Sequence, residues 1–368
     1  MNSLPALRIA HIDTGLSLRG GQHQMLMLAR GLRERGHAQV IGCREGSSLE
    51  TCGEAEGFRV FSLPAHDPGN AFGILLLRQE LKLWSPHIVH AHDGRGQTIA
   101  WLASMGLPVS RVASRRVTFF PSDRWTYRLK YGHTCDAVIT VSENIRELSV
   151  QAGVPRERIT VIPDGVEVPP ELPGAEERQH LRASWQCGSD DFVIGLLGAS
   201  TPEKGQDVAL AAHERVVKEL PKARLIIAGG EGVIAGGTPA PNVASNVTGI
   251  LRLGPIGNLA SFFPALDLFI MPSKAEGLGS SALWAMSFGV PVVATRVGGL
   301  PEIVAENETG WLVPPESPQA LAEAICQAAA ERGKLHEFGR NGRNRAEGFS
   351  AAIMVSRTEA LYERVLSS

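Results

Sequence analysis

The sequence of 368 residues is poor in cysteine, and none of its five cysteines belongs to a C-x-x-C pair. Because they are scattered and odd in number, they fit free thiols in a reducing compartment better than a disulfide framework. Long apolar runs are also lacking, and stretches such as Leu266–Met271 are far too short to span a bilayer. Residues 1–6 lack the basic run and apolar region of a signal peptide, so a cytoplasmic location is expected.

The chain has almost no excess of charge of either sign, because 36 basic residues meet 38 acidic ones, for a formal net charge of -2. This balance gives no whole-protein attraction to nucleic acid or anionic lipid, so any basic surface must be local. The chain has no P-loop, and the segment Leu18–His23 lacks the dinucleotide fingerprint G-x-G-x-x-G. We therefore expect no nucleic-acid partner and no dinucleotide cofactor.

Short apolar segments alternate with amphipathic ones along the chain. Apolar runs of four to six residues, bounded by Gly, Pro or polar residues, predict buried strands at Arg8–Ile12, Ala38–Gly42, Ile88–Ala91, Ala137–Val141, Phe192–Leu197, Arg224–Ala228, Leu266–Met271 and Val290–Ala294. Helical spacing of apolar residues predicts helices at Gln22–Arg35, Ala71–Trp84, Asp207–Leu220 and Ser280–Phe288. The alternation predicts an α/β fold with parallel sheets covered on both faces.

The length favours two domains, because one hydrophobic core rarely grows to this size. Prolines and glycines cluster in Ile162–Gly174, which we interpret as the linker. Residues 1–165 and 166–350 are thus predicted to form two Rossmann-like domains that face each other across a ligand-binding cleft. The amphipathic helix over residues 351–365 is predicted either to end one of the domains or to pack back on the first.

The strongest local signal lies in Leu268–Pro291, which reads as a strand, a short loop and a helix that opens near Gly279. A glycine-flanked loop at a helix start presents free N–H groups and the positive end of the helix dipole, which suits a phosphate or a sugar oxygen. Glu276 adds a carboxylate just before the turn. The alternative is an ordinary helix start with a capping acid.

Two features of the first domain point to the same kind of chemistry. Gly20 and Gly21 follow the first strand and open a helix, which forms either a phosphate-approach loop or a plain tight turn. His92 ends the strand Ile88–Ala91, where it either faces a ligand or bonds to backbone. His90 shares the strand face of His92, but a zinc site is not expected because no third ligand lies near them in sequence.

Several motifs together resemble glycosyltransferase family 4, a retaining family of GT-B fold. The run from Glu276 to Ala294 resembles the donor-site signature of this family. Further matching segments follow the family's order along the chain: His11–Thr14, Arg19–Gln22, Val89–His92, Val138–Asn144, Gly298–Val304 and Thr309–Pro315. Each segment is short, and the specificity of the resemblance comes from their joint order.

The resemblance implies roles for particular residues. Glu276 matches the first glutamate of the family's E-x7-E pair, which contacts the donor sugar, and Lys204 matches the lysine that meets the diphosphate. Trp284 stands where the second glutamate usually holds the nucleotide ribose, and Ala199 stands where an arginine is usual. Since an indole offers no hydrogen-bond acceptor, the ribose contact must differ here.

The expected catalytic residues are Glu276 and His92, which in the family lies against the donor sugar. The expected donor-binding residues are Lys204, Gly20, Gly21, Gly277, Leu278, Gly279, Ser280 and Ser281. No D-x-D motif ends a strand, so we expect Lys204 and helix amino ends, rather than a metal ion, to meet the diphosphate charge. The nucleotide-sugar is then a substrate, and no cofactor is expected.

The segment Arg111–His133 is locally basic and carries interleaved aromatic residues. Such a mixture suits an anionic acceptor or an anionic membrane surface. A helix with one solvated face and aromatic residues in the core would show the same sequence pattern. Arg115 and Arg116 are expected to follow a strand at Arg111–Ser114 and to face the acceptor.

The sequence therefore predicts a retaining, metal-independent glycosyltransferase that moves a sugar from a nucleotide-diphosphate sugar to a hydroxyl acceptor. The motifs also resemble those of bacterial lipopolysaccharide and polysaccharide enzymes. That likeness implies a glycan or glycolipid acceptor and peripheral contact with the inner face of the plasma membrane. The alternative is a catalytically weakened or non-catalytic GT-B protein that binds a sugar nucleotide or a partner, which Ala199 and Trp284 would explain.

Overall fold

The computed structural model describes residues 6–67, 69–118, 124–230 and 249–367, and the side chain of Arg124 lies outside this description. The chain forms two compact units. Unit 1 contains the described residues of 1–165 and 351–368, and unit 2 contains those of 166–350. The chain thus leaves unit 1 between Gly165 and Val166, inside the proline-rich segment Ile162–Gly174, and returns to it between Ser350 and Ala351.

Unit 1 is built on a parallel sheet. Its strands are β1 (Arg8–Asp13), β2 (Ala38–Arg44), β3 (Arg59–Leu63), β4 (Ile88–Ala91), β5 (Ser110–Arg115), β6 (Ala137–Thr140) and β7 (Ile159–Val161). They are arranged in the order β3-β2-β1-β4-β5-β6-β7, and each pair of neighbours is parallel. The strand order reverses between β1 and β4, so the carboxyl ends of these strands mark the switch point where ligands of such sheets bind.

The helices of unit 1 connect successive strands. They are α1 (Gly20–Glu34), α2 (Ser48–Ala55), α3 (Ala71–Trp84), α4 (Gly94–Ser104), α5 (Arg124–Tyr127) and α6 (Glu143–Gln151), and a π-helical turn at Arg128–His133 follows α5. Helix α3 has the predicted bounds because its ends are encoded locally. Asn70 caps it by accepting a hydrogen bond from the Gly73 amide, and Ser85, in a left-handed conformation, ends it before Pro86.

Unit 2 repeats this architecture. Its strands are β8 (Phe192–Leu197), β9 (Ala223–Ala228), β10 (Ile250–Arg252), β11 (Leu268–Met271), β12 (Val292–Thr295) and β13 (Gly310–Val313). The parallel sheet has the order β10-β9-β8-β11-β12-β13 and reverses between β8 and β11. Its helices are α7 (Ala175–Ser184), α8 (Gln206–Glu219), α9 (Ser280–Ser287), α10 (Leu300–Ile303), α11 (Pro318–Ala330) and α12 (Arg332–Glu347).

The central strands are apolar because helices cover both faces of each sheet. Ile194, Leu225 and Leu268 in unit 2 are fully buried, as are Ile9 and Ile88 in unit 1. A strand buried on both faces needs a continuous apolar run rather than alternation, which is what the sequence shows. The prediction of an α/β fold with two Rossmann-like units is confirmed.

The last helix, α13 (Ala351–Leu366), belongs to unit 1. It packs on α1, where Gly31 leaves room for Val355: a Cβ at Gly31 would lie 2.5 Å from Val355 Cγ2. Glu359 pairs with Arg35 at 2.6 Å and with His37 at 2.7 Å. Of the placements that the sequence allows for residues 351–365, packing on the first unit is the one observed.

Among the described residues, no helix combines the length and the apolar character that are needed to cross a lipid bilayer.

Candidate functional site

The loop from β11 to α9 in unit 2 adopts the predicted strand–loop–helix form. Gly279, just before the helix, has φ of 105°, a left-handed conformation that favours glycine, and a Cβ there would lie 2.5 Å from Leu300 Cδ2. Among the described residues no side chain caps α9, and its first internal hydrogen bonds are accepted by the Gly279 carbonyl. The N–H groups of Ser280 and Ser281 can therefore bind an anion at the positive end of the helix dipole.

Lys204 and Glu276 are brought together beside this helix end. Lys204 lies beyond the end of β8 and Glu276 beyond the end of β11, the two strands between which the sheet order reverses. Lys204 Nζ donates to Glu276 Oε2 at 2.8 Å, and Ser273 Oγ donates to the same oxygen at 3.2 Å. Because the two side chains are 28% and 12% exposed, the ion pair is shielded but within reach of a ligand.

Two glycines hold these loops against each other, and the sequence analysis gave neither a structural role. Gly205 has φ of 65°, and a Cβ there would overlap the Pro272 carbonyl, so the Lys204 loop packs directly on the loop after β11. Gly298 has φ of 53°, and a Cβ there would overlap the Glu276 carbonyl. Gly298 opens one of the segments that resemble the family, and Gly205 follows Lys204, but only the fold shows which backbone each one touches.

The remaining predicted donor residues of unit 2 differ in what they expose. Gly277, Leu278 and Gly279 are buried, and the Leu278 side chain belongs to the core, so only its backbone is suited to a ligand. Trp284 shares the half-exposed face of α9 with Ser280 and Ser281, because residues three and four apart are neighbours on a helix.

In unit 1, Gly20 and Gly21 open α1, as predicted. Gln22 organises this turn: its Oε1 accepts from the Arg19 amide at 3.0 Å, and its Nε2 donates to Asp13 Oδ1 at 2.8 Å. Of the residues that the structure describes, a Cβ at Gly21 would meet only Arg116, at 3.9 Å from its Cδ, so the described part of this helix start is not sterically crowded.

The expectation that no third ligand accompanies His90 and His92 is wrong, because the fold brings His11 beside them. Because β1 is the neighbour of β4, His11 pairs in register with His90, and ligand atoms of the three buried histidines lie within 4.8 Å of one another. Hydrogen bonds already join them to one another and to neighbouring groups. His11 Nδ1 lies 3.0 Å from His92 Nε2, and the two nitrogens of His90 lie 2.6 Å from the Tyr362 hydroxyl and 2.8 Å from Ser114 Oγ.

The structure also corrects the positions of the two arginines expected to face an acceptor. Arg115 does not follow a strand but ends β5, where it is buried with its guanidinium 5.4 Å from the Tyr127 ring centre. This cation–π packing assigns it to the interior of unit 1. Arg116 is the first residue past the strand, and its Nε donates to Asp164 Oδ1 at 2.9 Å. Of the two, Arg116 is the one placed beside the start of α1.

Two acidic residues at the switch point were missed by the sequence analysis. Asp13 ends β1, and Asp93 caps α4 while accepting hydrogen bonds from the amide and hydroxyl of Thr14 at 3.0 and 2.8 Å. Burial and the Asp93 charge raise the pKa of Asp13 to about 6. Only their position in the sequence could have identified them, because both residues lie at the carboxyl ends of predicted strands.

Part of the basic segment Arg111–His133 lies outside the described residues, including Phe119 and Phe120. In its described part, Trp125 and Val117 expose 68% and 52% of their surfaces, whereas Tyr127 and Tyr131 are buried. The described part of the segment therefore contains both solvent-exposed and buried apolar side chains.

Comparison with known proteins identifies the fold and the family of this chain. The chain resembles the crystal structure of Anabaena HepE in complex with UDP and glucose, with a TM-score of 0.84 and 19% identity over 97% of this chain and 99% of that chain. The two units and their sheets thus have the GT-B fold.

Residues 18–168 match the family described as Glycosyltransferase Family 4, and residues 177–345 match that described as Glycosyl transferases group 1. The D-inositol 3-phosphate glycosyltransferase of Corynebacterium urealyticum is 31% identical over 80% of this chain and 75% of its own. The protein of the same name from Segniliparus rotundus is 29% identical over 81% of this chain and 70% of its own. The chain belongs to glycosyltransferase family 4.

Proposed function

We propose that this glycosyltransferase is retaining and metal-independent, and that it transfers a sugar from a nucleotide-diphosphate sugar to a hydroxyl of a cell-envelope glycan or glycolipid. The observation that carries the donor part is the Lys204–Glu276 ion pair next to the uncapped amino end of α9. It brings a cation from the loop after β8 beside a carboxylate and two backbone donors from the loop and helix after β11.

Each part of this arrangement matches one part of the donor. The diphosphate attracts Lys204 Nζ away from Glu276 and accepts hydrogen bonds from the amides of Ser280 and Ser281. Glu276, once released, accepts hydrogen bonds from hydroxyls of the donor sugar. As the bond to the leaving diphosphate breaks, its growing charge is met by the ammonium and the helix dipole, so this chemistry needs no metal ion.

Retention is proposed from the family resemblance, and the predicted site residues offer no obvious covalent nucleophile for a double displacement. The acceptor hydroxyl then attacks on the face from which the diphosphate departs. His92, buried at the carboxyl end of β4, is proposed to contact a substrate hydroxyl.

The acceptor side is proposed to lie in unit 1. Arg116, beside the start of α1, is suited to an anionic group on the acceptor. The relatives' names point to D-inositol 3-phosphate, a phosphorylated polyol, as an alternative acceptor class. Exposed Trp125 and Val117 within the basic segment support peripheral contact with the inner face of the membrane.

The second candidate is a protein that binds a sugar nucleotide without transferring its sugar. Two observations favour it: Trp284 offers no carboxylate to the ribose, and Ala199 replaces one positive charge of the family's donor site. Turnover distinguishes the two candidates, because binding alone releases no nucleotide.

The test is a panel of UDP-, GDP- and ADP-sugars with envelope-glycan and inositol-phosphate acceptors, with and without EDTA. We expect transfer with retained anomeric configuration in both conditions, and a loss of about a hundredfold in turnover for Glu276→Ala. Inversion at the anomeric carbon, or a strict metal requirement, contradicts the proposal. Binding of a nucleotide-sugar without any product supports the second candidate.

A further inference from the structure

A chain of hydrogen bonds runs through unit 1 from α1 to His92. Gln39 Nε2 donates to the Ala29 carbonyl at 2.7 Å, Gln39 Oε1 lies 2.9 Å from His11 Nε2, and His11 Nδ1 lies 3.0 Å from His92 Nε2. Four separate segments supply these groups: α1, β2, β1 and the residue that follows β4. We call Ala29, Gln39, His11 and His92 the relay.

The position of each proton in the relay follows from its first member. A backbone carbonyl only accepts hydrogen bonds, so the Gln39 amide must turn its NH₂ group to Ala29 and its oxygen to His11. That oxygen also only accepts, so His11 carries its proton on Nε2. Burial lowers the pKa of His11 to about 4, so the ring is neutral near pH 7 and Nδ1 is an acceptor.

The same argument fixes the tautomer of His92. Since His11 Nδ1 accepts, His92 Nε2 must donate to it. Burial lowers the pKa of His92 well below its ordinary value, and the neighbouring histidines add to this effect. A neutral imidazole carries one N–H, so His92 Nδ1 bears the lone pair.

His92 Nδ1 has no hydrogen-bond partner among the described residues and is buried. The His90 ring lies 4.0 Å away from the His92 ring, centre to centre, but both of its nitrogens are bonded to Tyr362 and Ser114. A buried acceptor without a donor is unfavourable, and a hydroxyl that supplies one removes that cost.

We propose that Gln39 and His11 are positioning residues that hold His92 in its Nε2-protonated form, so that His92 Nδ1 accepts a hydrogen bond from a substrate hydroxyl. The proposal rests on the proposed function in taking His92 as a substrate contact. It predicts a site that recognises a substrate hydroxyl by the hydrogen bond that this hydroxyl donates. A substrate that is deoxygenated, fluorinated or methylated at that position should therefore bind less well.

The tautomer is tested directly by ¹⁵N NMR of the imidazoles in the full-length protein near pH 7, with His92 assigned by comparison with a His92→Gln variant. We expect Nδ1 of His92 to resonate as an unprotonated nitrogen and Nε2 as a protonated one. Gln39→Leu removes the acceptor for His11, so the other tautomer of His92 should become populated.

A matched control lies in the same cluster. Tyr362→Phe removes a hydrogen bond from His90 but leaves the relay intact, so the His92 signals should stay in place. A wild-type His92 protonated on Nδ1, or a pattern unchanged in Gln39→Leu, overturns the proposal. This readout needs no substrate, so it separates a failure of the relay from a failure of the proposed function.

The substrate contact is tested by kinetics. Gln39→Leu should lower kcat/KM on the order of tenfold, the size expected for one lost hydrogen bond, while Tyr362→Phe stays near wild type. The loss should disappear for the substrate analogue that lacks the contacted hydroxyl. If Gln39→Leu lowers kcat/KM equally for all analogues, or does not lower it at all, His92 does not contact this hydroxyl, even if the NMR result is as expected.

Discussion

Trp284 stands where the resemblance to the family predicts the glutamate that holds the nucleotide ribose. It shares the half-exposed face of α9 with Ser280 and Ser281, one helical turn from the amino end proposed to bind diphosphate. One turn rises by about 5.4 Å, comparable to the step from a diphosphate to the ribose that carries it. An indole can cover a ribose ring but cannot accept hydrogen bonds from its hydroxyls.

We therefore expect the wild type to bind a ribonucleoside diphosphate and its 2′-deoxy counterpart with similar affinity. Trp284→Glu should restore a carboxylate and favour the ribonucleotide about tenfold, the value of one good hydrogen bond. Calorimetric titration of both nucleotides measures the ratio, and Trp284→Phe is the control that should leave it near one. A strong preference of the wild type for the ribonucleotide would show that another group forms a hydrogen bond with the 2′-hydroxyl.

At the scale of elements, the positions of functional side chains depend on contacts between loops distant in sequence. Gly298 touches the Glu276 carbonyl, and the contact fixes the loop that carries this carboxylate. A side chain at this position adds both an unfavourable backbone conformation and an overlap with main chain that cannot rotate away.

Gly298→Ala should therefore destabilise unit 2 by more than 2 kcal/mol and weaken nucleotide-sugar binding. Gly289→Ala is the matched variant: Gly289 also has a positive φ, of 70°, but a Cβ there would lie 3.4 Å from the mobile end of Leu172. It should cost only about 1 kcal/mol and leave binding intact. Chemical denaturation and nucleotide-sugar titration compare the two variants. If both variants change the affinity for the nucleotide-sugar equally, the contact between Gly298 and the Glu276 carbonyl does not contribute to binding.

The alternation of apolar and amphipathic segments was sufficient to predict the fold, and local signals predicted element ends where they were strong. Asn70 and Pro86 set the ends of α3, and Gly279 sets the start of α9. The end of β5 was misplaced because Arg115 is polar in sequence yet buried against tyrosine rings. Assignment of Lys204 and Glu276 to one donor site needed the family resemblance, and the ion pair between them was not predicted. The His11–His92 contact depends on strand order, which no local pattern encodes.

For the whole molecule, the return of the chain in α13 makes unit 1 discontinuous in sequence. Leu361 and Tyr362 are buried in unit 1 although residues 166–350 separate them from the rest of it. The stability of unit 1 therefore depends on the last sixteen-residue helix, Ala351–Leu366.

We expect Leu361→Ala to destabilise unit 1 by about 2–4 kcal/mol, because it leaves a cavity under α13. Hydrogen exchange should show faster opening of β1 and β4, with β8 and β11 unchanged. Leu366→Ala, at the 41% exposed end of the same helix, is the control and should change neither set. Equal acceleration in both units would contradict an independent core in unit 1.

The central claim is that Lys204 and Glu276 form the donor site, and calorimetric titration of nucleoside diphosphates tests it most directly. The wild type should bind one nucleotide per chain, and Lys204→Ala should weaken binding at least tenfold, since the diphosphate loses its cation. Lys274→Ala breaks the neighbouring Lys274–Asp207 pair, 2.8 Å long, and should stay within about twofold of the wild type. Wild-type affinity in Lys204→Ala would contradict the account.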